Sequence, residues 1–443
     1  MRTKPLTQTQ HSRFHPRSIA ILLGCLTFSC AGIAAEPAGS SKANAKHTPL
    51  PATQGFSSAG LQRIEAFFTD EIAQKRVPGA VVGIMRHGQL VYLKAFGKQN
   101  PDSGEPMRTD SIFAVASMTK PMVAVGALTL TQQGKLPLFS RVDGYFPEVG
   151  LMKVEVSGAN GKPELIDQKQ PMRVQDLMRH TSGLTYGGRP DTAGAASSRY
   201  PAGSELPVMS GAQEFVARVT QLPLVYQPGS TFEYSTSFEM LGAIIEKVTG
   251  QRLGGYLKQA IWDPLGMKDT TFQLSEQQRQ RVARGFAADP LTGRPQAIHP
   301  VNKNPTFDCG GGCAFSTVPD YLNFGQMLLN GGHLKKQVVL GSGMVQLMTH
   351  NHLDASIANR VAQVEPHRAG YGFGLGVAVR TQAGVAAVPG NVGEFSWNGA
   401  YGTGFFADPQ AKLVVVFGTA APGDLRKYYR EQVQDLVYGA MTR

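Results

Sequence analysis

The segment from Phe113 to Met122 places a hydroxyl and an amine three residues apart, at Ser117 and Lys120. If Ser117 begins a helix, Lys120 lies on the same helical face and its amine can reach the hydroxyl. A hydroxyl beside a basic amine is an activated nucleophile that can form a covalent acyl intermediate. No other lysine has a serine three residues before it, and no GxSxG pattern is present. An N-cap serine followed by a solvated lysine is the alternative interpretation.

The residues after Ser117 predict the helix that would position this pair. Apolar residues recur at helical spacing over 122–130, and Gly134 is suited to a helix C-terminus. We therefore expect Ser117 at a helix N-terminus. Backbone amides and the helix dipole there favour negative charge on the serine oxygen and disfavour positive charge on Lys120.

A third functional side chain is predicted at Tyr234, in a loop before an apolar helical pattern over 238–248. Its phenol can accept or relay the proton of Ser117. A tyrosine of the hydrophobic core is the alternative. His180 is a candidate base for a Ser/His/Asp triad, but we interpret it as a residue that stabilises a turn, and Tyr321 as a packing residue of another helix.

Patterns of secondary structure predict a mixed fold. A helix around 61–72 and a hairpin of two strands over 81–96 come first, and strands over 371–419 with a final amphipathic helix come last. The segments between them are mainly helical. This order indicates an α+β domain built from both ends of the chain around an inserted helical part.

Composition narrows the class of protein. The 443 residues are 42% hydrophobic and 17% charged, which is ordinary for a globular protein with a buried core. The formal net charge is +11, but no long Lys/Arg run or basic helix interleaved with aromatic residues is present, which argues against nucleic-acid binding. HExxH and CxxC patterns are absent as well, so we expect no metal site. Acyl transfer through a serine requires no organic cofactor, so we expect none.

The N-terminal residues have the pattern of a secretory signal peptide. Basic residues up to Arg17 precede an apolar run, Ile19–Phe28, and small residues lead to a cleavage site after Ala34 or Ala35. We therefore expect an exported protein, periplasmic or secreted, with no membrane-spanning segment after cleavage. Lipidation at Cys25 is a second interpretation.

Two cysteines follow the predicted signal, Cys309 and Cys313, and three glycines separate them. An oxidising compartment and a flexible short loop favour a disulfide between them. Two free buried thiols are the alternative.

Six motifs occur in a fixed order along the chain, and together they are more specific than any one of them. They resemble the serine β-lactamase-like superfamily, in particular its class C β-lactamase and family VIII carboxylesterase branch, from about Gly55 to the C-terminus. The motifs are Ser117-Met-Thr-Lys120, His180-Thr-Ser-Gly-Leu184, Pro228-Gly229 before Tyr234-Ser235, Gly310-Gly-Gly312, Trp397-Asn-Gly399 and Gly402-Thr-Gly404.

The resemblance implies an antiparallel sheet flanked by helices, an all-helical domain beside it, and an active site between them. The residue patterns place a signal peptide at 1–35 and a flexible linker at 36–54. The resemblance covers the catalytic region at 55–443, whose α/β part is about 55–115 and 300–443 and whose mainly helical part is about 116–299.

The resemblance also implies roles for the motif residues. Ser117 would be acylated, Lys120 would be the base or proton shuttle, and Tyr234 its partner. The substrate pocket would include Trp397, Asn398 and Gly399 on an edge strand, together with Thr236. The amides of Ser117 and Ala400 would form an oxyanion hole.

Two departures from the β-lactamase pattern bear on the substrate. Thr236 stands where the tyrosine motif usually has asparagine, so a side-chain amide for a β-lactam is missing. Trp397 stands where lysine is common, and an indole cannot bind a carboxylate as an ammonium does. Tryptophan here is similar to the esterase branch.

The sequence therefore predicts an exported serine hydrolase that cleaves carboxylic esters, with a small ester or amide as substrate. A D-alanyl-D-alanine carboxypeptidase or β-lactamase is the first alternative, and it requires Arg380 or another basic side chain in the pocket to bind a carboxylate. A non-catalytic cell-envelope binding protein is the second.

Overall fold

The computed structural model describes residues 51–188, 195–296, 301 and 304–442. The predicted signal peptide, Cys25 and most of the predicted linker lie outside these residues. The last four linker residues, Pro51–Gln54, form a short 3-10 helix.

Strands near both chain ends build the main sheet. The strands are β1 (Gly79–Arg86), β2 (Gln89–Gly97), β3 (Ile112–Ala114), β4 (Val154–Ser157), β5 (Pro163–Ile166), β6 (Phe315–Thr317), β7 (His333–Leu334), β8 (Gln337–Val338), β9 (Tyr371–Phe373), β10 (Ala378–Arg380), β11 (Phe395–Gly399), β12 (Thr403–Asp408) and β13 (Leu413–Gly418).

The helices cover both faces of that sheet and fill the middle of the chain. They are α1 (Ser58–Ala73), α2 (Thr119–Gln132), α3 (Val174–Met178), α4 (Ala212–Val219), α5 (Ser237–Thr249), α6 (Leu253–Leu257), α7 (Asp263–Leu265), α8 (Glu276–Arg279), α9 (Val318–Leu329), α10 (Ser342–Thr349), α11 (Val361–Val364) and α12 (Leu425–Ala440), with a π-helical turn at Lys258–Trp262.

The predicted fold class is confirmed. Seven strands form an antiparallel sheet in the order β2-β1-β13-β12-β11-β10-β9, so β1 from the start of the chain pairs with β13 from its end. The tight turn between β1 and β2 has positive φ at His87 and Gly88, the left-handed conformation that a two-residue hairpin requires.

Helices pack closely on the two faces of the sheet. On one face, α1 and α12 bury aromatic residues, among them Phe68 and Tyr429. On the other, α9 lies so near β1 that a Cβ on Gly83 would be 2.6 Å from Leu322 Cδ1. Helix α2 is buried along nearly its whole length and packs against α5. Because α2 begins two residues after Ser117, that packing holds the predicted nucleophile segment in place.

The structure differs from the sequence-based expectations at two strands. The sequence pattern over 371–379 predicts a single strand, whereas the structure has two short antiparallel strands there, β9 and β10, with a turn that includes Gly376 at φ 83°. As a result β11 is not the edge strand that we expected. Strand β10 pairs only with Phe395 and Ser396, however, so Trp397–Gly399 has no strand partner on that side.

Among the residues that the structure describes, no helix is both long enough and apolar enough to cross a lipid bilayer.

The buried carboxyl group at the start of β11 makes stability depend on pH. Glu394 is 1% exposed, accepts hydrogen bonds from Tyr371 Oη at 2.8 Å and Gln434 Nε2 at 2.9 Å, and burial raises its pKa to about 7. The unfolded chain releases this proton near pH ~4.3. Between about pH 4 and 7 the folded state therefore binds more protons than the unfolded state, and the free energy of unfolding falls as pH rises.

We expect Glu394→Gln to remove this dependence, which is up to about 1.4 kcal/mol per pH unit in the wild type. Urea unfolding between pH 4.5 and 8 measures it. The control is Glu164→Gln, which changes an exposed carboxylate on β5 and should leave the wild-type slope. Equal slopes for the wild type and Glu394→Gln would contradict the assignment.

Candidate active site

Ser117 and Lys120 lie together where a 3-10 turn, Ala116–Met118, leads into α2. The Lys120 Nζ is 3.4 Å from Ser117 Oγ. Ala116 has a φ of 45°, an uncommon left-handed conformation for a residue with a Cβ. That conformation turns the chain sharply between β3 and α2, so that the serine is partly exposed while the lysine is fully buried.

Two side-chain hydroxyls donate hydrogen bonds to backbone carbonyls of the turn and hold it from both sides. Thr403 Oγ1 of β12 donates to the Val115 carbonyl at 3.2 Å, and Tyr321 Oη of α9 donates to the Met118 carbonyl at 2.8 Å. A Cβ on Gly399 would lie 2.4 Å from the Val115 carbonyl oxygen, so the strand can approach this closely only with glycine there. Tyr321, which the sequence suggests is a packing residue, thus supports the nucleophile turn.

The amine of Lys120 has partners on several sides. Its Nζ donates to the Gly311 carbonyl at 2.7 Å, lies 3.2 Å from Tyr186 Oη, and stands 4.5 Å from the ring centroid of Tyr234. A buried amine requires such acceptors and aromatic faces because it has lost its water. The amine is thereby directed at Ser117.

A carboxylate of α5 completes this network. Glu239 is fully buried, and Tyr186 Oη donates to its Oε1 at 3.2 Å. Burial raises the pKa of Glu239, while the positive charge of Lys120 opposes that rise. Sequence reasoning missed both Tyr186 and Glu239. A signal for Glu239 existed, since it stands between Phe238 and Met240 in a helix whose neighbouring residues are buried and apolar.

A disulfide between Cys309 and Cys313 closes the loop that presents Gly311. Gly310 lies against α5, where a Cβ would be 2.3 Å from the Phe238 carbonyl oxygen, and a Cβ on Gly311 would be 2.2 Å from Glu239 Oε1. The glycines therefore allow the loop to reach both α5 and Lys120.

Tyr234 lies between His180 and Trp397. The Trp397 Nε1 donates to Tyr234 Oη at 3.4 Å, and the two ring centroids are 5.3 Å apart. On the other side the His180 ring centroid is 4.7 Å away, and His180 Nδ1 is 3.1 Å from Ser235 Oγ. His180 is buried, and its ring packs against that of Tyr234.

A buried ionic cluster supports the strand that carries Trp397. Glu365 accepts from Arg368 Nε at 2.7 Å and Asn398 Nδ2 at 2.8 Å, and it also bonds Arg430. Burial alone would raise the pKa of Glu365, but the charges of Arg430 and Arg368 hold it well below its usual range. The Arg368 guanidinium carbon lies 5.0 Å from the Trp397 ring centroid. The cluster thus fixes both the indole and the neighbouring asparagine.

Arg430 also orients the peptide that joins Gly399 to Ala400. Its Nη2 donates to the Gly399 carbonyl at 2.7 Å. In a planar trans peptide the carbonyl and the following N–H point in opposite directions. The Ala400 N–H therefore points away from Arg430, and Ala400 borders the same cleft as Ser117.

That cleft has a volume of about 330 Å³. It brings Ser117, Tyr234 and Ala400 together with Tyr186 and Glu239. Four residues on the rim also border it: Gly203, Ser204, Leu206 and Pro207. Trp397, Asn398, Gly399 and Thr236 are not among the described residues that line it. The Thr236 hydroxyl donates to the Thr185 carbonyl at 3.3 Å instead.

The basic side chain at the cleft is Arg426 of α12, rather than Arg380. Arg426 donates to the carbonyls of Pro422 and Gly423 at 2.6 and 2.9 Å and lies on the cleft wall. Arg380 is buried and donates to Tyr371 Oη and to carbonyls over 388–390.

Comparison with known proteins agrees with this fold. A family model described as Beta-lactamase matches residues 64–437. A Mycobacterium tuberculosis protein with no stated function is 34% identical over 76% of this chain and 84% of its own length. Esterase EstB of Burkholderia gladioli is 29% identical over 83% of this chain and 93% of its own length.

The solved structure of EstCE1, described as a hydrolase with promiscuous acyltransferase activity, superposes with a TM-score of 0.71 at 25% identity, covering 86% of this chain and 98% of its own. The chain belongs to the Beta-lactamase family, and it is a serine hydrolase of that fold. The resemblance inferred from the motifs is confirmed.

Two adjacent glycines allow a sharp test of the Lys120 network. We expect Gly311→Ala to lower kcat/KM for p-nitrophenyl acetate about 10- to 100-fold, because its Cβ would displace Glu239 and the carbonyl that Lys120 bonds. Gly312→Ala is the matched control, since the nearest atom to its Cβ is 3.9 Å away. Equal losses in the two variants, with equal thermal stability, would contradict this account.

Proposed function

We propose that this serine hydrolase is an exported esterase that forms an acyl-enzyme on Ser117. The observation that carries the proposal is the 3.4 Å approach of Lys120 Nζ to Ser117 Oγ in a cleft that Tyr234 and Ala400 also border. A similarity to esterase EstB over most of both chains supports the same reaction class.

The reaction is acyl transfer in two halves. The single proton of Ser117 Oγ passes to the pair formed by Lys120 and Tyr234 as that oxygen attacks the ester carbonyl. The amides of Ser117 and Ala400 stabilise the negative oxygen of the tetrahedral intermediate. The C–O bond of the alcohol then breaks, and the alcohol leaves with a proton delivered through Tyr234.

In the second half, water attacks the acyl-enzyme. The same groups remove its proton, the carboxylic acid is released, and Ser117 Oγ regains a proton. These steps use only the side chains and amides of this chain, with water as the second substrate.

An ester is favoured over a β-lactam by Trp397. Its indole is 2% exposed, and its Nε1 donates to Tyr234 Oη. Because an indole is neutral, it cannot bind the carboxylate of a penicillin as an ammonium group does. Thr236 is likewise buried and bonded to the Thr185 carbonyl.

A peptidase or β-lactamase remains the second candidate because Arg426 lies on the cleft wall. A guanidinium there can bind a substrate carboxylate, such as that of a D-alanyl-D-alanine peptide. Comparing p-nitrophenyl acetate, nitrocefin and a D-Ala-D-Ala peptide separates the candidates, and faster cleavage of the peptide than of the ester would overturn the esterase assignment.

Export is supported by the signal-like pattern of basic and apolar residues over 1–35 and by the disulfide between Cys309 and Cys313. Such a leader would be removed on export, leaving Ser117 in a shorter mature chain.

The central test is Ser117→Ala. We expect it to reduce p-nitrophenyl acetate hydrolysis at least about 10³-fold, since the acyl-enzyme can no longer form. Mass spectrometry of the exported protein after a fluorophosphonate probe should show an adduct on Ser117 and a chain that begins near residue 36. Equal turnover by wild type and variant would reject the mechanism, and an unmodified serine would favour a binding protein.

A second test concerns the Gly399–Ala400 peptide. We expect Arg430→Lys to lower kcat about 10-fold with KM within two-fold, because one ammonium keeps the charge beside Glu365 but cannot also hold the Gly399 carbonyl in the same geometry. Lys427→Ala on the same helix is the control. A change in KM alone, or unaltered kcat, would show that Arg430 does not position this amide.

A further inference from the structure

A second cavity adjoins the catalytic cleft. Its volume is about 270 Å³, and it shares two wall residues with the cleft, Tyr401 and Pro422. The two spaces are therefore neighbours that share the wall formed by these two residues. We call the second space the side cavity.

The side cavity is built on the strands that lead to the nucleophile. Ala114 of β3 pairs with Phe315 of β6, and both residues line it. Val282 lies beside β3, because it forms a parallel β-bridge with Ile112 of that strand. These residues form a separate apolar cluster against which Tyr401 packs. The cavity is thus part of the framework that carries Ser117.

Most of the described residues that line the side cavity have apolar side chains. Phe113, Val282, Phe315 and Ala420 are buried, and the charged residue of the wall, Arg284, is exposed to solvent. Such a lining binds hydrocarbon more favourably than it binds a charged or strongly polar group.

The position of the side cavity relative to the reacting groups indicates which part of an ester it would hold. The leaving alcohol must lie near Tyr234, which would protonate it, and Tyr234 lines the cleft but not the side cavity. Tyr401 instead follows directly after the amide of Ala400, which would hold the carbonyl oxygen. With the alcohol near Tyr234 and the carbonyl oxygen at the Ala400 amide, the part of the ester that would extend past Tyr401 is the acyl group.

We propose that the side cavity binds the acyl chain of the substrate, so that the preferred substrates are esters of apolar carboxylic acids longer than acetic acid. This inference rests on the proposed esterase function. Tyr401 and Pro422 form the passage between the cleft and the side cavity, and the residues around Val282 and Phe315 contact the end of the chain.

The test fills the side cavity and measures selectivity. Ala283 lines it and is partly exposed, so Ala283→Phe places a ring in the space. We expect the ratio of kcat/KM for p-nitrophenyl hexanoate to that for the acetate to fall at least about 10-fold. The matched control is Ala73→Phe, at an exposed position near the end of α1, which should keep the wild-type ratio.

A second series separates the acyl group from the alcohol. Acetate esters of ethanol and hexanol share the acetyl group, so their ratio of kcat/KM should be the same in wild type and Ala283→Phe. A change in this ratio with no change in the hexanoate to acetate ratio would place the alcohol in the side cavity and overturn the proposal. Unchanged ratios in both series would overturn it as well.

Tyr401→Ala provides an independent variant in case Ala283→Phe fails to fold. Widening the passage should raise the ratio of kcat/KM for p-nitrophenyl decanoate to that for the hexanoate. If kcat/KM depends on acyl chain length as in the wild type, Tyr401 does not border a passage for the acyl chain. Ser117→Ala keeps the two hypotheses distinguishable. If it still hydrolyses acetate, the proposed function fails; if it is inactive and the ratios do not respond, only the side-cavity proposal fails.

Discussion

The burial of one amine organises this active site. Lys120 is fully buried in α2, and an unpaired amine in that position would cost several kcal/mol. The Gly311 carbonyl and Tyr186 Oη supply its partners, and the remaining direction leads to Ser117 Oγ. The disulfide loop, the glycines that let it approach α5, and the buried carboxylate of Glu239 all serve this arrangement. The hydrogen bonds that compensate for the burial of the Lys120 amine also orient that amine toward Ser117.

A second buried charge cluster performs a comparable task on the other side of the cleft. Glu365 pairs with both Arg368 and Arg430, and the three residues hold the end of β11, where Trp397 packs on Tyr234 and Arg430 donates to the Gly399 carbonyl. Because α12 supplies Arg430 and the sheet supplies Gly399, the C-terminal helix contributes to the geometry of a peptide that borders the cleft. Distant parts of the chain thereby converge on a few backbone groups.

Residues near the cleft bear on the choice between an ester and a β-lactam. Trp397 packs on Tyr234 and offers no cation, and most of the described residues around the side cavity have apolar side chains. Arg426 is the charged residue on the cleft wall whose role depends on the substrate. Substrate choice therefore depends on side chains around a backbone framework that the family shares.

The sequence by itself determined the pair Ser117 and Lys120, the helix that follows them, Tyr234 before α5, and the α+β class, because helical spacing and strand alternation are local properties. Tertiary structure alone decided that Tyr186, Glu239 and Gly311 surround the amine and that Arg430 meets Gly399. Those contacts join residues 31 to 191 positions apart, and no local pattern encodes which distant side chain meets a given carbonyl. The division of 371–380 into two strands escaped prediction for a similar reason, since a turn at Gly376 becomes necessary only when the chain packs against α2.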